Sequence, residues 1–147
     1  RGIDLEGKAR DAYEAATGNI VRQTGFVTHP VIGGIGCSLD GDIRNFEGIL
    51  EIKCPKSATM VGYWTEGGLP TEYVPQVMHN MLVTGAAWCD FVAFDDRMPK
   101  GLEFFLVRVT REQLALDAYE AKVRDFIREV DGQVGHLRHL AAKAAGE

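Results

Sequence analysis

Three charged side chains of this sequence stand where chemistry could be done. They are Asp40, in Ser38-Leu39-Asp40-Gly41, and Glu51 and Lys53, in the run Gly-Ile-Leu-Glu-Ile-Lys-Cys from Gly48 to Cys54. The run is β-branched and apolar and Pro55 halts it, so it reads as a strand. Successive strand side chains alternate between faces, which puts Glu51 and Lys53 on one face and Leu50, Ile52 and Cys54 on the other. A carboxylate and an ammonium on an otherwise apolar strand are costly to desolvate unless they are paired or a metal ion joins them. Asp40 ends the preceding strand in a hairpin and brings a second carboxylate beside Glu51. Two carboxylate oxygens and a nearby backbone carbonyl suit a hard divalent cation such as Mg2+, which keeps some of its waters. Lys53 can orient or deprotonate one of those waters as a nucleophile, a layout suited to phosphodiester hydrolysis. The competing reading is an ordinary Glu–Lys pair at a strand end; the Asp-Gly turn and the apolar flanks favour the hydrolytic one.

The elements that must position these groups are legible as periodicities. Leu5, Ala9, Ala12, Tyr13 and Ala16 fall on one face of a helix over Asp4 to Thr17, which Gly18 caps. Val21 to Leu39, interrupted by Gly33, Gly34 and Gly36, reads as strand, turn and strand, and Asp40 to Ile43 reads as a break. Lys56 to Pro70, with Gly62, Gly67 and Gly68, reads as a loop. Val74, Val77, Met78, Met81 and Leu82 predict a helix over Thr71 to Thr84, with Pro75 in its first turn and Gly85 at its end. Strands follow at Trp88 to Phe94 and Leu102 to Val109, joined by the turn-rich segment from Asp95 to Gly101. Thr110 with Gln113 forms a capping box that opens a long helix to Val130, and Gly132 to Glu147 reads as a second helical stretch. The order α, β, β, β, α, β, β, α predicts an α/β domain with a small mixed central β-sheet flanked by α-helices.

The chain has 147 residues, 16 Lys plus Arg against 21 Asp plus Glu, a net charge of −5 and 46% hydrophobic residues. A chain of this length buries roughly 70% of its unfolded surface as one domain, so it needs no disulfide or structural metal. No stretch approaches the length of a membrane span and no basic-then-apolar leader opens the sequence, which disfavours membrane and secreted readings. Cys37, Cys54 and Cys89 are odd in number and far apart, which predicts reduced thiols in a cytosolic compartment and no zinc site. The acidic balance removes the simplest argument for nucleic-acid binding without excluding it, since metal-holding carboxylates add negative charge locally. The first residue is Arg1, and a helical pattern runs almost at once; this predicts a fragment or a processed chain.

The segments Gly36-Cys37-Ser38-Leu39-Asp40-Gly41, Leu50-Glu51-Ile52-Lys53-Cys54-Pro55 and Pro75-Gln76-Val77-Met78 resemble, in order, the motifs of the lambda-type phage exonucleases. These are also called YqaJ-like viral recombinases and belong to the PD-(D/E)xK nuclease superfamily. The resemblance extends upstream to Leu5-Glu6-Gly7-Lys8-Ala9-Arg10 with Tyr13-Glu14 and Thr17-Gly18, and downstream to Phe94-Asp95-Asp96-Arg97-Met98, covering Gly2 to about Val130. It implies a restriction-endonuclease-like core in which Asp40, Glu51, the main-chain carbonyl of Ile52 and Glu6 bind metal. Lys53 would activate or position water, and Gln76 would support Lys53 or the water. Helix geometry leaves Gln76 facing either solvent or the cleft, and sets Glu6 about 60° from the centre of its helix's apolar stripe, able to lean over the edge. Ser38 matches a residue that contacts the terminal 5′-phosphate. Leu39 replaces the proline of the namesake motif, which alters the turn rather than the chemistry. The family's N-terminal segment, which supplies further 5′-end contacts, is absent from these residues.

The resulting expectation is a single nuclease domain over 1–147, lacking its native N-terminal segment. It would be an Mg2+-dependent exodeoxyribonuclease, with Mn2+ as an alternative, digesting one strand of linear duplex DNA from 5′ to 3′ and leaving 3′ tails for phage-type recombination. Its partners would be double-stranded DNA ends, two further copies in a homotrimer and a single-strand annealing protein, in the cytoplasm of a bacterial host or phage-infected cell. A restriction or repair endonuclease of the same superfamily and a decayed DNA-binding module are the alternatives. Among the remaining residues, Lys56 could meet a phosphate. Tyr63 and Trp64 could stack on a base or pin their loop to the core. His136 and His139 read as surface residues, and Asp95 with Asp96 as a structural turn.

Overall fold

Alternating apolar and polar positions in the middle of the chain fold into a four-stranded mixed sheet, seen here in a computed structural model that describes residues 2–146. Helix α1 (Gly2–Thr17) is followed by strands β1 (Gly25–Thr28), β2 (Gly36–Leu39), β3 (Gly41–Ile43) and β4 (Gly48–Lys53). Helix α2 (Ser57–Glu66), a 3-10 turn (Thr71–Tyr73) and helix α3 (Val74–Thr84) lead to β5 (Trp88–Phe94) and β6 (Phe104–Thr110). A second 3-10 turn (Arg111–Gln113) precedes α4 (Leu116–Ala145). The main sheet runs β3-β4-β5-β6, with β4 and β5 parallel and the outer pairs antiparallel, while β1 and β2 form a separate antiparallel hairpin. Parallel neighbours need a crossover, and α2 and α3 supply it.

The central strands are covered on both faces. Leu5, Ala9 and Tyr13 of α1 pack on Leu50, Ile52, Val92 and Phe94, with Cys54 at the margin. On the opposite face Met60 and Tyr63 of α2 meet Phe91, Ala93 and Phe105. Leu50, Ile52 and Cys54 thus share the face expected of them, and all seven residues of β5 are buried.

Five expectations need correction. The segment read as a loop from Lys56 to Pro70 contains α2; its glycines suggested irregular backbone, yet Gly67 serves as a left-handed cap (φ 81°) and burial of Met60 and Tyr63 holds the helix. The presumed break at Asp40 to Ile43 includes β3, whose pairing with β4 supplies the hydrogen bonds that a local reading could not see. The capping box at Thr110 and Gln113 exists but opens the 3-10 turn, and β6 starts at Phe104 rather than Leu102. Helix α4 runs without interruption through Gly132 and Gly135, each of which lowers helix propensity by about 1 kcal/mol without ending it; Glu147 lies outside the described residues. The chain forms two compact units, Arg1–Leu114 and Ala115–Glu147. Within the second, α4 carries an Arg124–Glu120 pair and exposes Phe126, Leu137 and Leu140. Among the described residues no helix is long and apolar enough to cross a membrane.

Candidate active site

Antiparallel pairing of Gly41 with Leu50 brings the end of β2 alongside β4, so Asp40 arrives next to Glu51. The glycine after Asp40 is required by crowding: a Cβ at Gly41 would lie 2.3 Å from Val21 Cγ1 and 3.3 Å from the Arg22 carbonyl. The Ile52 N–H donates to Asp40 Oδ2 at 2.7 Å, anchoring that carboxylate to β4 itself. Ile52 thereby stands between Glu51 and Lys53 as the residue that ties Asp40 down, and its carbonyl lies on the peptide bond leading to Lys53.

Glu51 is nearly inaccessible, its side chain 4% exposed, and its Oε1 receives both Lys53 Nζ and Gln76 Nε2 at 2.9 Å. Gln76, exposed on the first turns of α3, therefore faces the cleft. Burial, followed by the charge of Asp40, pushes the Glu51 carboxyl up to about 7. Asp40 is raised as well, first by burial; the Ile52 N–H offsets part of this, and the charge of Glu6 adds to it. For Lys53, partial burial would lower the value, but the contact with Glu51 outweighs it and keeps the ammonium protonated above its ordinary range. The ammonium also lies 4.8 Å from the centre of the Tyr73 ring, a cation–π contact.

Glu6 leans over the edge of α1 with its side chain 39% exposed, and its charge is felt at both Asp40 and Glu51. Ser38 is exposed on β2, two residues before Asp40. Lys56 is exposed at the entrance to α2 and makes no side-chain cap. The cluster thus gathers Glu6, Asp40, Glu51, Lys53 and Gln76, with Ser38 beside it along the strand and Lys56 just past the strand's end.

Two further residues belong to this neighbourhood. Arg10 approaches Glu6 at 3.5 Å, and its charge offsets part of the upward shift of Asp40. With the Gln23 amide oriented to satisfy both partners, its oxygen accepts from the two terminal nitrogens of Arg10 at 3.0 and 2.9 Å. The i,i+4 spacing from Glu6 was a usable sequence signal for Arg10; Tyr73 offered none, because its approach to Lys53 depends on the crossover. Other residues near the sheet and on α4 are engaged or exposed elsewhere. Trp64 donates to the Leu102 carbonyl at 2.9 Å, Tyr63 is buried, and Asp95 accepts from Arg97 and Ser57. His136 and His139 are exposed on α4.

The donor set is that of an open site for a divalent cation rather than a closed cage. Among the described residues no three His, Cys, Asp or Glu side chains converge as a ready cage. The chemistry nevertheless fits one that retains water: three carboxylates face two local cations, and two of those carboxyls are held above their ordinary range. Asp40 and Glu51 are each anchored through one oxygen, which leaves the second for a ligand. Magnesium binds by one or two carboxylates and keeps several waters.

A family model described as the YqaJ-like viral recombinase domain matches residues 1–87. The crystal structure of an alkaline exonuclease (LHK-Exo) from Laribacter hongkongensis is similar, with 38% identity and a TM-score of 0.86 over 97% of this chain and 73% of that one. The structure of LHK-Exo in complex with dAMP is 40% identical, with a TM-score of 0.84 and the same coverage. No curated protein matches the chain significantly.

Proposed function

The chain belongs to the YqaJ-like viral recombinase family, and on that premise we propose that it is a metal-dependent exonuclease degrading one strand of linear duplex DNA from 5′ to 3′, leaving a 3′ single-stranded tail. The observation that carries the reading is the buried Glu51 carboxylate, which takes Lys53 and Gln76 on one oxygen beside the anchored carboxylate of Asp40. Asp40, Glu51 and the Ile52 carbonyl, with Glu6 at the rim, are the residues that would hold Mg2+, or Mn2+ in its place. Such a cation would supply Lewis-acid stabilisation of charge on the phosphoryl oxygens and acidify a bound water.

The chain's own residues do the rest. Lys53 enters as an ammonium, so it orients the attacking water and stabilises negative charge on the phosphate rather than acting as a resident base. Gln76 fixes the rotamer of Glu51. Ser38 is assigned to the terminal 5′-phosphate and Lys56 to a backbone phosphate. Contacts of that kind position a strand without reading its sequence. The complex of LHK-Exo with dAMP supports release of deoxynucleoside 5′-monophosphates. The reading places the protein at DNA ends in a bacterial or phage-infected cytoplasm, as a homotrimer working with a single-strand annealing protein.

The test uses purified protein with Mg2+ on linear duplexes labelled at either end, beside a covalently sealed circle. Loss of the 5′ label as a mononucleotide, with the circle intact, is expected. Cleavage of the circle would replace the reading with an endonuclease, and no cleavage of any DNA would leave only a binding module.

A further inference from the structure

The β1–β2 hairpin stands outside the main sheet and carries an aromatic ring that the proposed chemistry does not use. Phe26 is 68% exposed. It is the register partner of Ser38, so the two side chains share a face of the hairpin, with Cβ atoms about 5 Å apart. The ring is also seated. It leans diagonally over Gly36, where a Cβ would come within 2.5 Å of Phe26 Cζ and 2.8 Å of its Cε1. Only glycine leaves that seat open, so an exposed ring is held in one place at no benefit to the core. His79 of α3 bonds the Gly36 carbonyl at 2.9 Å and steadies the seat from beneath.

The ring borders a cavity of about 440 Å3 whose lining includes Phe26, Thr28, His29, Ile32, Ile35 and Gly36. Such a volume lies within the range of small-ligand sites. His29 Nδ1 accepts the N–H groups of Val31 and Ile32 at 3.0 and 2.8 Å. Its Nε2 therefore carries the ring proton, a donor that shares a mostly apolar wall with the Thr28 hydroxyl.

We infer that this hairpin cavity is a nucleobase subsite, in which a base of the DNA end stacks on Phe26 while Ser38 holds its phosphate. A flat, seated aromatic face takes any base, because every base offers a π-face. The His29 N–H and the Thr28 hydroxyl, which both donates and accepts, can meet a polar edge on each of them without selecting strongly. Gly36 lies four residues from Asp40 along extended backbone, about 13 Å. The stacked base is therefore that of the 5′-terminal nucleotide, on the 5′ side of the scissile phosphate, and its seat on Phe26 fixes the register of the strand before each cut. The inference rests on the nuclease reading, since it places the base of the same DNA strand.

Phe26→Ala, Phe26→Leu and Phe26→Trp are to be compared with wild type for KM and kcat on 5′-phosphorylated duplex. DNA carrying 5-iododeoxyuridine at each nucleotide near the 5′ end is photocrosslinked to the Lys53→Ala protein. The expected result is a KM about tenfold higher for Phe26→Ala, with kcat at saturation within about twofold of wild type. Phe26→Trp restores KM and Phe26→Leu does not, and the crosslink maps to residue 26. Exposure of the ring makes misfolding an unconvincing cause, and rescue by tryptophan separates stacking from bulk. A wild-type KM in Phe26→Ala, or crosslinks confined to other residues, overturns the inference while DNA digestion by wild type leaves the nuclease reading standing. If wild type digests no DNA, that reading falls and takes this one with it.

Discussion

Lys53 and Asp40 make opposite demands on the cleft, and single substitutions separate them. Removing the ammonium in Lys53→Ala takes away the group proposed to act on the water and the phosphate, while leaving both carboxylates in place. Turnover should fall by about 100-fold or more, with DNA affinity within a few-fold of wild type by anisotropy. Unchanged turnover would remove Lys53 from the chemistry. Asp40→Asn instead keeps the shape and removes the charge of a proposed ligand. Asp40, Glu51 and Glu6 crowd like charge that a divalent cation would relieve, so Mg2+ at about a hundred times its Kd should stabilise wild type at pH 8 by about 2.7 kcal/mol, several degrees in a thermal melt. The Asp40→Asn protein should show little of that rise. Equal Mg2+ shifts in the two proteins would place the cation elsewhere. Arg10 belongs to the same balance, since it is the second local cation and stands against Glu6.

Helix α2 is the element whose placement most affects the exit of the catalytic strand, because it starts four residues after Lys53 and is pinned at its first residue. The Ser57 hydroxyl donates to Asp95, which also receives the Arg97 N–H and Nε at 3.1 and 2.9 Å. Burial alone would raise the Asp95 carboxyl; these donors outweigh it and hold it below the ordinary carboxylate range. The unfolded chain therefore binds a proton more readily than the folded one. The stabilisation is present above the ordinary carboxylate value and is lost as pH falls through the lowered one. Asp95→Asn should cost about 1–3 kcal/mol at pH 7, and the gap to wild type in urea unfolding should close towards pH 3. A gap that stays constant with pH would mean that the carboxylate charge contributes nothing. The turn between β3 and β4 is held in a similar way: Arg44, Asn45 and Phe46 all adopt left-handed φ, and Asp42 accepts the Phe46 N–H at 3.0 Å together with two Arg22 nitrogens.

For the whole molecule, the mixed sheet decides function by bringing β2, β4 and α3 to one place, although their residues are dispersed along the chain. The sum of charges is −5, opposite to that of most DNA-binding domains, so contacts with a polyanion must be local and supported by cations rather than by a broad basic face. A homotrimer predicts a light-scattering mass three times that of the chain; a monomeric mass at working concentration would remove the ring from the proposal, though not the chemistry of the cleft.

The sequence by itself determined what has a short period or a short span. The pairing of Glu51 with Lys53 on one face of β4 follows from alternation, α1 and α3 follow from helical periodicity with glycine caps, and β5 emerges with its bounds intact. The ordered motifs identified the family and the fold class without any coordinate. Tertiary structure alone decided the rest. Asp40 and Asp42 flank the same glycine and look interchangeable, yet one bonds the catalytic strand and the other buries itself against Arg22. Gln76 had a known helical phase but no known neighbour until the crossover put α3 against Glu51. Helix α2 was hidden by its glycines because its stability comes from Phe91 and Phe105. Dihedral preferences and periodicity are properties of adjacent residues, whereas register and burial arise between segments that meet only after the chain has folded.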